Sequence, residues 1–253
     1  MNRYFAVLLL FAVINQSCKK ENIITSPITS NSFRNNTIEE DLRAGKYVDR
    51  TSGNITLVLQ PGTNGEDAWV KRIEAHPVYA DSNYGNIEII KALTWKESGF
   101  TIFARSLIKF EDLNQIPASA QIVSANLFLY GLTSPSTHLP MGDSYYQGSP
   151  YYQTNTVLVQ RVTSSWSENS VSWNNQPSAT SFNQSAIPPS TGKYNYDVNV
   201  DVSKLVSTMI QNPSSNYGFR LRLETEKVFR SMGFYSSEYS DASKHPKLVV
   251  VYK

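Results

Sequence analysis

Hydrophobic and polar residues alternate through much of residues 103–131, and this pattern predicts two β-strands joined by a short ordered connection. A period of two is typical of a strand with two unlike faces. Ile116 and Pro117 predict an extended bend between the strands, because proline fixes its own φ and moves its predecessor out of the helical region. The first strand carries two interleaved sets of residues: Ser106, Ile108 and Phe110, and Arg105, Leu107 and Lys109.

Short β-rich runs separated by Gly, Pro, Asn and Ser continue to the end of the chain and predict an all-β domain over residues 54–253. Ten runs with turn-like connections favour two antiparallel sheets packed as a β-sandwich. The predicted strands are residues 55–60, 67–72, 87–93, 101–110, 122–130, 156–163, 194–200, 217–224, 230–236 and 247–252.

One segment, residues 201–211, has apolar residues at helical spacing instead. Asp201 can cap the start of a helix, and Asn212 followed by Pro213 ends it. We therefore expect one short helix that covers an end of the sandwich.

The N-terminal residues predict export. Arg3 precedes an apolar run that is too short to span a bilayer, as in a secretory signal peptide over residues 1–17. Cys18 follows Ser17 in the position of a lipoprotein cysteine; the alternative is an ordinary signal peptide cut near Ser17. We expect a lipid anchor at Cys18, a flexible stalk over residues 18–53 and a place on the outer membrane or cell surface.

The formal net charge is close to zero. It is +2 for the whole chain, with 23 basic and 21 acidic residues, and removal of residues 1–17 takes away Arg3 and leaves +1. This balance gives no support to nucleic acid as a partner, or to a membrane contact other than through the N-terminal lipid. A single cysteine excludes an intramolecular disulfide framework.

Motifs of catalysis are absent from the sequence: no hydrolase elbow, zinc-protease helix, phosphate-binding glycine loop or Cys/His metal pattern occurs. Because catalysis needs a base within hydrogen-bond reach of its partner, and no such pair is signalled, we do not expect an enzyme. An enzyme whose catalytic residues are distant in sequence stays an open alternative.

Aromatic residues outside the predicted strands offer contact surface. Residues 166–177 carry two tryptophans among amides and predict a structural loop, with a sugar platform as the alternative. Trp95, in a polar run, is a better candidate for an exposed indole. Tyr145 and Tyr146 lie in the loop 139–155, which is suited to contact a ligand or another protein or, alternatively, to fold back on its own sheet.

A series of segments in a fixed order resembles DNRLRE-domain proteins of the carbohydrate-binding module family 96 type, and especially the surface lipoproteins of Bacteroidota that carry this domain. The segments are RSLIKF, IPASAQIVSANLFLYG, VQRVTSSWSENSVSWNNQP, DVSKLV, NYGFRLRLETE, FYSSE and HPKLVVVY. The resemblance implies a jelly-roll β-sandwich without catalytic activity. Some members are attached to alginate-degrading enzymes and bind acidic polysaccharide. We therefore expect a non-catalytic module that binds a uronate-type polysaccharide such as alginate, with a surface adhesin or protein-interaction module as the alternative.

Basic residues on two predicted strands suggest the ligand surface. Arg105 and Lys109 share one parity of their strand, and Arg220 and Arg222 share one parity of theirs. If the strands lie in one sheet, these residues, joined by Arg161, form a basic stripe, and an arginine fork can hold a carboxylate through two hydrogen bonds. The alternative is a solvated surface on which these cations pair with nearby acids, namely Glu111, Glu224 and Glu226.

A structural calcium ion is a further expectation, since sandwich modules of this type often tie their first and last strands with a hard cation. Calcium needs several oxygen ligands from carboxylates, amides and backbone carbonyls. Asp67, at the start of an early strand, and Glu238 or Asp241, after a late one, are the candidate ligands. Surface carboxylates in water are the alternative.

Overall fold

The computed structural model describes residues 45–49, 52–61, 65–133, 154–192 and 194–253, and these residues form strands with few helices. The strands are β1 (Gly45–Val48), β2 (Ile55–Leu59), β3 (Gly65–Ile73), β4 (Ile89–Glu97), β5 (Phe100–Phe110), β6 (Ile122–Leu129), β7 (Val157–Val162), β8 (Ala179–Ile187), β9 (Val198–Asp201), β10 (Phe219–Leu223), β11 (Arg230–Tyr235) and β12 (Lys247–Tyr252). The α-helices are α1 (Val78–Asp81) and α2 (Ser203–Gln211), and short 3-10 turns occupy Glu111–Gln115, Pro213–Ser215 and Ala242–Lys244.

The strands form two antiparallel sheets. The smaller sheet has the order β1-β2-β12-β6-β9. The larger sheet has the order β11-β4-β5-β10-β7-β8, and β3 also pairs with β5. Apolar side chains from both sheets form the main core, among them Ile108, Phe219 and Phe234 from the larger sheet and Leu127 and Leu248 from the smaller. The all-β antiparallel sandwich predicted from the sequence is confirmed.

Strand β5 organises the larger sheet, because it pairs with three other strands. It pairs with β3 over residues 102–110, with β4 over residues 100–104 and with β10 over residues 106–108. A strand has two edges, so β4 and β10 divide one edge between them. At this fork the Ser106 hydroxyl accepts from the backbone N–H of Lys91 at 2.7 Å and donates to the Lys91 carbonyl at 2.8 Å. Ser106 is a polar residue on a face of β5 that is otherwise apolar. It joins β5 to β4 at the point where the backbone hydrogen bonds between these strands end.

Strands β5 and β6, which the sequence predicts as a linked pair, belong to different sheets. The 3-10 turn Glu111–Gln115 and the extended Ile116 carry the chain from one sheet to the other. Helix α2 packs its apolar residues, Leu205, Val206, Met209 and Ile210, into the main core. Val202, and not Asp201 as predicted, occupies the N-cap position of this helix, while the Oδ1 of Asp201 accepts from the Ser203 N–H at 2.8 Å.

Three elements differ from the prediction. Strand β1 pairs with β2 and lies within residues 18–53, so the sandwich begins before the expected end of the stalk. Strand β8 was not predicted, because its sequence ATSFNQSAI is largely polar and lacks an apolar period, and in the structure Ile187 is its one buried residue. Helix α1 has only four residues, too few for a helical period. No helix in the described ranges is long and apolar enough to cross a membrane.

Candidate functional site

The outward side of the larger sheet carries a cluster of arginines. In β10, Phe219 and Leu221 are buried in the core, so the alternating Arg220 and Arg222 project from the other side. Arg220 pairs in register with Leu107 of β5, which places Arg105 on that same side. The structure therefore brings together Arg105, Arg220 and Arg222. We call these residues, with Glu226, the arginine cluster.

One carboxylate serves two of the three arginines. Glu226 accepts two hydrogen bonds from Arg105, from Nε to Oε1 at 2.7 Å and from Nη2 to Oε2 at 2.9 Å. Arg222 Nη2 lies 3.8 Å from Glu226 Oε2. Arg220 instead donates from Nη2 to the amide oxygen of Gln160 at 2.7 Å. Within the described ranges, no carboxylate lies within ion-pair distance of Arg220.

The arginine cluster carries three positive charges and one negative charge. Burial, and then the charges of Arg105 and Arg222, lower the pKa of Arg220 to about 10. Burial raises the pKa of Glu226, but the hydrogen bonds and charge of Arg105, followed by the charges of Arg222 and Arg220, outweigh burial and leave this pKa below its ordinary value. Arg220 is thus protonated and Glu226 ionised at neutral pH, and the formal net charge of the arginine cluster is +2.

The loop over residues 166–177 borders the arginine cluster, and we call it the tryptophan loop. The Trp173 ring lies 4.6 Å from the Arg105 guanidinium and 5.3 Å from that of Arg72. Gln176 accepts from Arg105 Nη1 at 3.0 Å and donates to the Trp173 carbonyl at 2.8 Å. Trp166 Nε1 donates to the Tyr217 carbonyl at 2.8 Å. The loop is therefore packed on the sheet, as its structural interpretation predicts, while half-buried Trp173 contributes an indole to the edge of the arginine cluster.

A shallow cleft lies beside Lys109, which is on the same face of β5 as Arg105 and four residues farther along the strand. Its volume is about 330 Å³, and its lining includes Glu111, Asn114, Trp166 and Asn216. Lys109 Nζ lies 2.9 Å from Glu111 Oε1 and 3.7 Å from Glu66 Oε2. The Oδ1 of Asn216 is buried and has no hydrogen-bond partner in the described part of the chain. The cleft thus offers an indole and a cation to a polar ligand.

Two of the predicted site residues lie elsewhere. Arg161 pairs with Phe219, whose side chain is in the core, so Arg161 belongs to the opposite side of β7 from Gln160. Trp95 is only 7% exposed and packs edge-on against Phe229, because the apolar residues around it form a core cluster of their own. The prediction of an exposed indole at Trp95 is therefore wrong. Tyr145, Tyr146 and Cys18 lie outside the described residues.

Sequence reasoning missed the neutral residues that surround the arginines. Gln160 has the same strand parity as Val162 of β7, and its role as a partner of Arg220 has no separate sequence signal. Trp173 and Gln176 belong to a segment whose aromatic and amide content was recognised, but their placement beside Arg105 depends on the fold of the loop.

The candidate calcium ligands divide into two groups. Asp67 and Glu238 lie together with Glu168, which the sequence did not suggest. Asp241 instead accepts from the N–H and hydroxyl of Ser243 at the start of the 3-10 turn Ala242–Lys244. Asp241 is therefore a turn-capping residue, and of the two alternatives, Glu238 and Asp241, it is Glu238 that lies with Asp67.

Comparison with known proteins identifies the family of this chain. No curated protein matches the chain significantly. The sequence model of carbohydrate-binding module family 96 matches residues 60–252, a range that contains strands β3 to β12, the arginine cluster and the tryptophan loop. Because this match covers most of the chain's 253 residues, the chain belongs to carbohydrate-binding module family 96.

Proposed function

We propose that this module binds an acidic, uronate-type polysaccharide through the arginine cluster. The observation that carries the proposal is the unequal count of charges: the arginine cluster holds three guanidinium groups, and its one carboxylate, that of Glu226, pairs with two of them, Arg105 and Arg222. Among the described residues, the partner of the Arg220 side chain is the amide oxygen of Gln160. A carboxylate from a ligand would supply the missing negative charge, and an arginine fork is suited to bind it through two hydrogen bonds.

The groups around the arginine cluster suit a sugar more than an isolated anion. Trp173 offers part of an indole face, against which the C–H face of a sugar ring can pack. Gln160 and Gln176 offer amide groups to hydroxyls. Arg105 and Lys109 are four residues apart on β5, roughly 13 Å along the strand. An extended chain could therefore contact the arginine cluster and the cleft beside Lys109 together.

The double variant Arg220→Ala and Arg222→Ala tests the proposal. Each lost charge-assisted contact is expected to cost roughly 1.5–3 kcal/mol, so the purified protein should bind alginate more than tenfold more weakly. Arg161→Ala is the matched control, since it removes an arginine from the same sheet but not from the arginine cluster. Parent binding should also weaken as salt rises, because exposed charges are screened. If the double variant folds and binds alginate as tightly as the parent, the arginine cluster is not the binding site.

We also propose the cellular context expected from the N-terminal sequence. The protein is a non-catalytic surface lipoprotein of the DNRLRE type found in Bacteroidota, anchored through Cys18 on the outer membrane or cell surface. Support comes from the signal-like residues 1–17, the single cysteine and the family of the domain. A glycan array separates this role from that of a protein-binding adhesin. Binding of the purified protein to uronate polymers supports glycan recognition, and no binding to any glycan on the array opposes it.

A further inference from the structure

Three carboxylates from distant parts of the chain meet at one end of the larger sheet. Asp67 belongs to β3, Glu168 to the tryptophan loop and Glu238 to the turn that follows β11. One oxygen from each of these residues lies within 4.8 Å of the others. Surface carboxylates usually separate to reduce their repulsion, so this convergence calls for a physical reason.

Each carboxylate accepts a hydrogen bond through one oxygen, and two of the three have a second oxygen that is buried without a partner in the described part of the chain. Asp67 Oδ2 accepts from the Ser237 N–H at 2.8 Å, and Glu168 Oε1 accepts from the Asp67 N–H at 2.9 Å. Glu238 Oε1 accepts from the Ser237 hydroxyl at 3.0 Å. The other oxygens of Asp67 and Glu238, Oδ1 and Oε2, are buried and have no hydrogen-bond partner in the described part of the chain. Asp67 itself is 0% exposed.

Unsatisfied buried oxygens and converging negative charges are both unfavourable. Burial, followed by the charge of Glu238, raises the pKa of Asp67 well above its ordinary value. Burial also raises the pKa of Glu168, despite the hydrogen bond from the Asp67 backbone. A cation would remove both costs, since it accepts the orphaned lone pairs and offsets the repulsion.

The backbone holds Glu168 in place from outside the cluster. A Cβ added to Gly85 would lie 2.5 Å from the Glu168 carbonyl oxygen and 2.7 Å from its Cγ, so only glycine permits this approach. The Asn83 amide donates to the carbonyls of Glu168 at 2.6 Å and Val171 at 2.8 Å. Glu168 is thus a fixed member of the cluster.

We propose that Asp67, Glu168 and Glu238 bind a calcium ion that joins β3, the tryptophan loop and the turn after β11. Oxygen-only, carboxylate-rich donor sets suit hard cations, and calcium bonds to oxygen at about 2.3–2.6 Å. Two oxygens on opposite sides of such an ion are therefore about 5 Å apart, which accommodates the observed separations. This site is distinct from the arginine cluster, and its occupancy does not depend on the identity of the glycan.

The test is thermal unfolding of the purified protein in EGTA and in calcium chloride, with isothermal titration of calcium. Free calcium a hundredfold above its Kd should raise the Tm by about 5–10 °C. Asp67→Asn and Glu168→Gln should abolish this rise. In EGTA, Asp67→Asn should melt no lower than the parent, because it removes a buried charge and keeps the side-chain shape. Asp241→Asn is the control and should keep the full calcium response, although its turn cap is weakened.

Several results would overturn the proposal. Equal melting of the parent in EGTA and calcium, with no heat of calcium binding, would leave the cluster without a cation. A calcium response retained in Asp67→Asn would place the ion elsewhere. A shift with magnesium equal to the shift with calcium would remove the assignment to calcium.

Discussion

Glu226→Gln is the most informative single change in the arginine cluster, because it removes charge and keeps nearly the same volume. The parent carboxylate receives two charge-assisted hydrogen bonds from Arg105 and lies 3.8 Å from Arg222. Glutamine can keep one acceptor, and its NH₂ group faces a guanidinium. Three arginines then remain with no carboxylate among them.

The contacts of Glu226 set the size of the expected loss in unfolding free energy. One lost hydrogen bond between charged groups is worth roughly 1.5–3 kcal/mol, and two unit charges at about 4 Å interact by about 4 kcal/mol at an effective dielectric of 20 as an upper bound. The side chains of Arg105 and Glu226 are each 19% exposed, so solvent screens part of this energy. We expect the variant to lose about 2–4 kcal/mol of unfolding free energy.

Urea unfolding followed by tryptophan fluorescence measures this loss, and the midpoint should fall by roughly 1–2 M. Glu224→Gln is the matched control, since Glu224 is exposed and has no ion pair in the described ranges. Glycan binding should change in the opposite direction: the more positive arginine cluster of Glu226→Gln should bind alginate more tightly at low salt. An unfolding free energy of Glu226→Gln within about 0.5 kcal/mol of the parent value would contradict this reasoning. The ion pairs would then be solvated surface contacts, since exposed pairs usually contribute only ~0–1 kcal/mol.

Three further outcomes are expected. The stability supplied by Glu226 should be present above its unfolded pKa of about 4.3 and should be lost as pH falls through its lowered folded pKa, so Glu226→Gln should show a smaller acid-induced loss in urea titrations at pH values below about 4.3. Trp95→Ala should lower unfolding free energy by about 3–5 kcal/mol in chemical denaturation, because the indole is buried, and alginate affinity of the folded variant should stay near that of the parent. Cys18→Ala should prevent lipid attachment, and membrane fractionation should find the protein secreted or unprocessed; its recovery as an outer-membrane lipoprotein would contradict the anchor.

Strand parity was the most informative part of the sequence. It predicted that Arg220 and Arg222 project away from Phe219 and Leu221, because that alternation is a local property of an extended backbone. It could not predict that Glu226 lies against Arg105, since the two residues are 121 positions apart and meet only after β5 and β10 pair.

Contacts between distant parts of the chain were the least predictable. Trp95 was expected on the surface because polar residues flank it, yet Phe229 and Ile102 bury it from other parts of the chain. Arg161 was expected beside Arg220, but strand pairing placed it opposite Phe219. Glu168 had no sequence signal as a partner of Asp67, because only the path of the tryptophan loop brings them together.

The order of the smaller sheet bears on how the module can be presented to a polymer. Strand β1 forms one edge of that sheet, so the described chain enters the sandwich in one layer, whereas the arginines project outward from the other layer. An attachment made through the N-terminal segment therefore joins the smaller sheet, and the arginines belong to the other sheet. Immobilisation at that end should leave the arginines accessible, and many copies side by side on one surface could engage a single long polysaccharide, so that weak individual contacts add up to strong retention.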